Sequence, residues 1–343
     1  MTARRPTRQR GAAILLALLI MTLVATLAAG MVWLQWRGIE VEAAERTRAQ
    51  AEWLLNASLD WGNLILKSSV RGTHTEDDLG QPWATPLAET KLSSFLSADG
   101  SHAEDSGPEA YLSGQITDAM SKYNLYNLVV LPPGGDIGRN TEIQRLQILF
   151  GAIGVSPDVA NTIAAGLRAS VSAQQQLKDQ PGQVDATNSV LMPIEVADLA
   201  WYGIDPKVIK LMEPFVQIIP FPGNELMKIN ANTAPAEVLM AAHGMPAITR
   251  AQAEQLILRR RQKPLDSPAA IRDALGCPNT GCPPASDASA PKDILDVQSK
   301  FFEIFGQLRY EQHVIRERSV VYRKDQFTPV QVLRRERLPP DAT

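Results

Sequence analysis

Cysteine and histidine are scarce in this sequence, with two and four among 343 residues. Cys277 and Cys282 stand four residues apart with no second pair and no nearby His, which argues against a zinc site. His74, His102, His243 and His313 are scattered over different elements, beside no Ser or Cys nucleophile pattern, and each reads as a surface residue. Gly-x-Ser-x-Gly, a phosphate-binding loop and His-Glu-x-x-His are all missing, so the chain reads as a non-enzyme. Excess positive charge is missing too. Of 34 basic residues, four arginines fall in the first ten positions, leaving 30 against 37 acidic residues and a net charge of −7. That balance argues against a general nucleic-acid or anionic-lipid surface. Proline is absent from Ala12 until Pro82, which removes the usual helix breaker from a long stretch.

What is present begins with Arg4, Arg5, Arg8 and Arg10, a basic leader without an acid. From Ala12 to Trp36 no charged side chain appears, and only Thr22, Thr26, Gly30 and Gln35 soften the apolar run. At about 1.5 Å per residue it can cross a hydrocarbon core about 30 Å thick. Arginines before the run and Glu40, Glu42 and Glu45 after it place the leader in the cytoplasm and the remainder outside. Three readings compete. A cleavable secretory signal would cut near Ala28 and Ala29, leaving apolar residues beyond the cut. A signal anchor fits the length and the charges. The third reading cuts between Gly11 and Ala12 and keeps the helix. Basic leader, Gly, small residue and uninterrupted apolar helix resemble the type IV prepilin family, which implies cleavage by a prepilin peptidase and methylation of the new amine on Ala12.

The 45% apolar and 21% charged content is that of a globular protein, and the length suggests two or three compact units. The helix reads as continuing out of the membrane for about 55 residues, roughly 80 Å. Val41, Ala44, Ala51, Leu55, Leu59, Gly62 and Leu66 form an apolar stripe that must pack, most naturally on a sheet. Gly72–Asp78 and Asp99–Asp105 read as solvated loops, with no regular metal-ligand spacing. Tyr111–Asp118 and Lys122–Val129 read as strands. Glu142–Ala169 turns helical, with a second helix starting after Ser156-Pro157, and Gln174–Asn188 reads as a polar loop. Val216–Phe221 is a short apolar strand. Phe301–Gly306, Leu308–Tyr322 and Thr328–Glu336 suggest a closing antiparallel meander. In an exported protein Cys277 and Cys282 can pair and close a small Pro/Gly turn.

Two elements sharpen the comparison. Gly114-Gln115-Ile116-Thr117-Asp118 followed by Asn124-Leu125-Tyr126-Asn127-Leu128 is similar to the K-type minor pseudopilin family of the type II (general) secretion pathway. Ile229-Asn230-Ala231-Asn232-Thr233-Ala234 nearly matches that family's Ile-Asn-Val-Asn-Thr-Ala, and Met192–Leu199 matches its preceding helix. Locally, Asn232-Thr233 is a good cap and Pro235 suits a first helical turn. The resemblance implies an α+β pilin-like fold, with a long N-terminal helix on an antiparallel sheet and a large inserted helical domain. It implies a subunit that caps the pseudopilus tip and starts its assembly with I-type and J-type minor pseudopilins. The inner-membrane secretion platform would be a further partner, and the soluble region would lie in the periplasm. The implied division is a leader at 1–11 and a long helix at 12–68, membrane-spanning over 12–36. The pilin-like domain begins at 69–134, the helical insert is 135–213 and a strand segment is 214–230. A helix-hairpin-helix-like segment with the Cys loop covers 231–291, and the C-terminal strands 292–343.

The chain departs from the family's pattern at one place. Ala164–Ser170 stands where an Asp-Trp-Ile-Asp element and an acidic loop are common, which puts any calcium site in doubt, since calcium wants six to eight oxygens. Most pilins carry Glu as the fifth mature residue. Counted from Ala12 that position is Leu16, and the resemblance implies that the K-type subunit is the exception lacking this acid. A second function class comes from Ala236–Arg261, which resembles a helix-hairpin-helix, a unit that often binds DNA. The alternative is therefore a membrane-anchored periplasmic DNA-binding protein. Against it, Ala247-Ile248-Thr249 replaces the usual Gly-x-Gly hairpin, and Arg259, Arg260 and Arg261 point in different directions.

Overall fold

The structure is a computed structural model that describes residues 10–69, 76–97, 109–130, 136–179, 190–220, 225–243, 247–276, 294–310, 313–325 and 327–339. Two compact units meet between Ala57 and Ser58, inside helix α1 (Arg10–Ser69).

In the first unit α1 presents apolar side chains all round: Ile14, Leu15, Leu16, Leu18, Ile20 and Met21 are all exposed. Its most apolar 18-residue window has a mean hydropathy of 2.6, long and apolar enough to cross a membrane. The hydroxyls of Thr22 and Thr26 donate to the carbonyls of Leu19 and Leu23, both at 2.9 Å, so neither leaves an unmet polar group in hydrocarbon. Beyond the apolar run the helix changes character. Arg46 pairs with Glu42 and Arg48 with Glu52, one turn apart, as suits a solvated helix.

In the second unit the last turns of α1 bury Leu59, Gly62 and Leu66. A Cβ on Gly62 would lie 3.2 Å from Ile304 Cγ2, so the glycine lets the helix approach the sheet closely. After the turn Pro82–Ala84 come β1 (Leu87–Lys91), α2 (Leu92–Ser97) and β2 (Ala110–Asp118). The chain continues through β3 (Tyr123–Asn124), α3 (Asp136–Ile153), α4 (Asp158–Asp179), α5 (Pro206–Met212) and β4 (Val216–Gln217). Then come β5 (Ile229–Asn230), α6 (Ala236–Ala242), α7 (Arg250–Gln262), α8 (Pro268–Ala274) and β6 (Leu295–Asp296). It closes with β7 (Phe301–Tyr310), β8 (His313–Tyr322) and β9 (Gln331–Leu338).

The main sheet is antiparallel in the order β1-β2-β7-β8-β9. Strands β2 and β7 pair along their whole length although residues 119–300 lie between them in sequence. Their register sets Gly114 opposite Gly306 and Ile116 opposite Ile304. A Cβ on Gly114 would come within 2.7 Å of the Phe305 carbonyl oxygen, which explains the glycine of the Gly-x-Ile-x-Asp strand. Trp83 is buried edge-on against Phe302, with ring centroids 5.2 Å apart. The residues between β2 and β7 fold largely around one apolar cluster, which includes Leu146, Phe150, Ile163, Leu167, Leu199, Met212, Leu239 and Leu256.

Several sequence expectations are corrected here. The stretch Lys122–Val129 is not one alternating strand. Only Tyr123–Asn124 pairs, parallel to Val216–Gln217, and Leu125–Leu128 coils into a 3-10 turn whose Tyr126 N–H is accepted by the Asn124 side chain. Helix α4 runs on through Gln174 to Asp179, since a run of Gln, Leu and Lys favours helix. The rest of the expected loop, 180–189, lies outside the described residues, as do most of the two acidic loops, His74, His102, Cys277 and Cys282. Strand β7 runs unbroken to Tyr310, past the break expected after Gly306, and pairs with β8 up to Tyr310 opposite His313. Of the two described histidines, His313 is exposed and His243 is buried rather than superficial.

Candidate functional site: the apolar stem and the polar joint

The sequence-level site residues fall on the stem. Ala12 and Leu16 lie on the exposed surface of α1, and Gly11 belongs to the same helix. Leu16 sits within the apolar run, where a carboxylate would be costly unless it found a partner.

The short motifs turn out to hold the sheet to the residues spliced into it. At the end of β2, Asp118 is fully buried and its carboxylate gathers four donors. Met120 N reaches Oδ1 at 2.7 Å, while Ser299 Oγ, Thr233 Oγ1 and Asn230 Nδ2 reach Oδ2 at 2.5, 2.5 and 3.0 Å. Burial pushes this carboxyl up to about 6, against the pull of the hydrogen bonds from Ser299, Thr233 and Met120, so it is ionised at neutral pH. Asn230 Nδ2 also donates to Ser299 Oγ at 2.8 Å and to the Asp77 carbonyl at 2.9 Å. Asp77 in turn accepts the Ser299 N–H at 2.7 Å and binds Arg323 Nη2 through both oxygens, at 2.6 and 2.7 Å.

Arg323, just past β8, is the largest organiser of this joint. Its guanidinium is buried over the Phe302 ring at 4.5 Å and donates to the carbonyls of Leu66 and Ser299 and to Ser69 Oγ. The C-terminal turn of α1, the Asp77 segment and the start of β7 are thus tied to a single side chain. Arg alone supplies enough donors in a fixed fork to do this.

The asparagines act as substitutes for strand partners. Asn124 donates to the Ile219 carbonyl at 2.8 Å and accepts the Ile219 N–H at 3.0 Å. Asn127 does the same with Met227, at 3.0 and 2.9 Å, and Asn232 with Leu265, at 2.9 Å in both directions. Each satisfies a buried backbone pair that no strand reaches. The expected capping role of Asn232-Thr233 is therefore replaced: α6 begins after Pro235 with no side-chain cap, because both side chains are engaged elsewhere.

Two further arginines close helix ends and turns. Arg145 pairs with Glu142 at 3.1 Å and donates to the carbonyls of Ala241, Ala242 and His243, capping α6. Tyr123 donates to Glu142 at 2.7 Å; burial and the Glu142 charge raise its hydroxyl well above the usual range, so it stays a neutral donor. Arg260 donates to the carbonyls of Ala231 and Ala234 at 2.6 and 2.7 Å, and burial lowers its pKa only to about 10, leaving it cationic. Of the three adjacent arginines weighed for DNA, Arg259 and Arg261 are exposed, while the one between them is turned inward. Ile248 of the hairpin is buried and Thr249 caps α7. Among the described residues no group of three or more His, Cys, Asp or Glu could hold a metal ion.

A family model for the type II secretion system (T2SS) protein K matches residues 229–289, beginning at Ile229-Asn230 of the joint. A type II secretion system protein K from Pectobacterium carotovorum subsp. carotovorum is 25% identical over 346 residues, covering 96% of this chain and 97% of that protein. The chain is thus similar to type II secretion system protein K over nearly its whole length. A second relative with the same description, from Klebsiella pneumoniae, is 24% identical over 323 residues, with 89% of this chain and 91% of its own length covered. In solved structures the fold matches a chain of the GspK–GspI–GspJ complex from enterotoxigenic Escherichia coli. The TM-score is 0.58 at 16% identity, over 86% of this chain and 98% of that one. This likeness, with the long apolar helix and the antiparallel sheet, makes the fold pilin-like. Sequence reasoning found Gly114–Asp118, Asn124–Leu128 and Ile229–Ala234 but missed Arg323, Asp77, Ser299 and the Glu142–Arg145 pair. The i, i+3 spacing of Glu142 and Arg145 among apolar neighbours was the one signal that could have exposed the last of these.

Proposed function

We propose that this minor pseudopilin caps the tip of the periplasmic pseudopilus and starts its assembly with I-type and J-type partners. The observation that carries this reading is the splice of residues 119–300 between two paired strands, β2 and β7. A shaft subunit must stack beneath the next copy, and so large an insertion on the pilin-like sheet suits a position with nothing above it. The related fold was solved together with GspI and GspJ, which supports partners of those two types. Co-expression of the full chain with its host's I-type and J-type subunits, extraction in mild detergent and affinity capture is expected to recover all three together. Capture of this chain alone, with both partners folded and present, would contradict the reading.

The same proposal places α1 in the inner membrane with the soluble unit in the periplasm. It also has a prepilin peptidase cut between Gly11 and Ala12, with methylation of the Ala12 amine and delivery to the inner-membrane platform. Intact mass of the mature chain is expected to begin at Ala12 with one added methyl. A start near Met31 would instead mean ordinary secretion. The protein has a structural role, and no residue is assigned to catalysis. Neither calcium nor DNA is assigned as a ligand: Ala164–Ser170 offers no acid, and Arg260 is committed to carbonyls within the fold.

A further inference from the structure

On the main sheet, away from the polar joint, three carboxyl groups surround two guanidiniums. Arg318 on β8 reaches Glu195 at 3.6 Å and Glu303 of β7 at 3.3 Å, and it pairs closely with Glu336 of edge strand β9. Arg334, also on β9, lies 3.8 Å from Glu336 and donates to the Ile194 carbonyl. Glu195 comes from a different layer. It stands at the start of the 3-10 helix Val196–Tyr202, where Asp198 accepts the N–H groups of Ile194 and Glu195, both at 2.9 Å. Lys122 and Glu213 complete the walls of the same cleft, and Lys122 is directed to the Glu213 carbonyl.

Charge counting makes the cluster unusual. Glu195, Glu303 and Glu336 against Arg318 and Arg334 leave one negative charge too many, and a single bound proton balances it. Glu195 and Glu336 meet on the same guanidinium, Arg318, so the two carboxyls crowd one cation, and a proton held between them relieves that crowding. We propose that Glu195 and Glu336 share one proton and form a proton-sensitive latch. It fastens the segment leading into Val196–Tyr202 to the edge strand β9.

The direction follows from the contacts. The hydrogen bond to Glu336, then burial, push Glu195 up to about 7 from an ordinary 4.5, while Arg318 and Arg334 pull the other way. Burial also pushes Glu336 upward, but the hydrogen bonds from Glu195 and Arg318 hold it below its usual range. A carboxyl raised on folding contributes its stabilisation below its ordinary value, and that contribution is lost as pH rises through the folded value. The latch is therefore closed in mildly acidic surroundings and loosens through neutrality, when three carboxylates face two guanidiniums. Asp118, whose carboxyl is also raised by burial, sits in the polar joint, so its titration is read in peptides other than those of the latch.

The test is amide hydrogen exchange of the full chain in detergent micelles between about pH 6 and about pH 8, corrected for intrinsic rates. Peptides covering residues 190–203 and β9 are expected to lose protection about tenfold over that range, the population change set by a folded value near 7. In E195Q and, separately, E336Q the protection of both segments is expected to be flat with pH, with the main sheet unchanged. Protection in the wild-type chain that does not vary with pH would overturn the proposal. So would either Gln variant retaining the wild-type pH profile.

Discussion

A carboxamide donates and accepts at once, so one Asn can stand opposite a backbone N–H and C=O as a neighbouring strand would. Asn124, Asn127 and Asn232 each do this for a different segment. Neither Asp nor Leu could: Asp has no N–H to give, and Leu would leave two backbone groups unmet at roughly 1–3 kcal/mol each. Arg323 serves more partners still. Replacing it with Met keeps much of its volume but leaves Asp77 buried without its cation and removes donors from Leu66, Ser69 and Ser299. Arg323→Met is expected to destabilise the chain by about 3–5 kcal/mol, the usual cost of removing one partner from a buried ion pair. Urea unfolding of the full chain in detergent checks this, and a loss below about 1 kcal/mol would show that Asp77 finds another partner. Little of this was legible beforehand. Arg323 ends an alternating strand and looks like any strand-terminal cation, and Asp77 lies 246 positions away. The buried asparagines could be read because they cluster in short motifs; their roles could not, since the backbone pairs they serve lie up to 100 residues away.

At the scale of elements, periodicity worked where one element faces one environment. The proline-free stretch from Ala12 is one helix to Ser69, and the strand through Leu308 alternates as expected, as does the one through Ile116. It failed at Leu125–Leu128, where alternation was satisfied by a 3-10 turn held through Asn124, and in α4, where polar residues continue a helix whose far side is solvated. The stem also carries an element-scale prediction. With the proposed cut after Gly11, Leu16 would be the fifth mature residue, where the resemblance implies an acid in most pilins, and the proposed tip subunit would have no neighbour above whose amine such an acid could meet. Leu16→Glu is expected to leave assembly unchanged or mildly reduced, as scored by secretion of an endogenous substrate and by pseudopilus yield. Increased incorporation of the variant throughout the shaft would contradict the tip assignment.

For the whole molecule, the deciding feature is that a sheet strand pair is interrupted by residues 119–300 and still closes in register. Asp118, Asn230, Thr233 and Ser299 do the closing, since they come from both sides of the splice and meet at one carboxylate. The large insertion was legible as a succession of helical patterns between strand patterns. Its main apolar cluster was not, because helices α3 and α6 are distant in sequence and only the fold brings Leu146 and Leu239 into it. The most direct test of the tip assignment counts and locates the subunit. Pseudopili assembled with this chain, labelled at its soluble unit and imaged by electron microscopy, are expected to show one label at one end of each fibre. Labels spaced along the shaft in many copies would contradict the account.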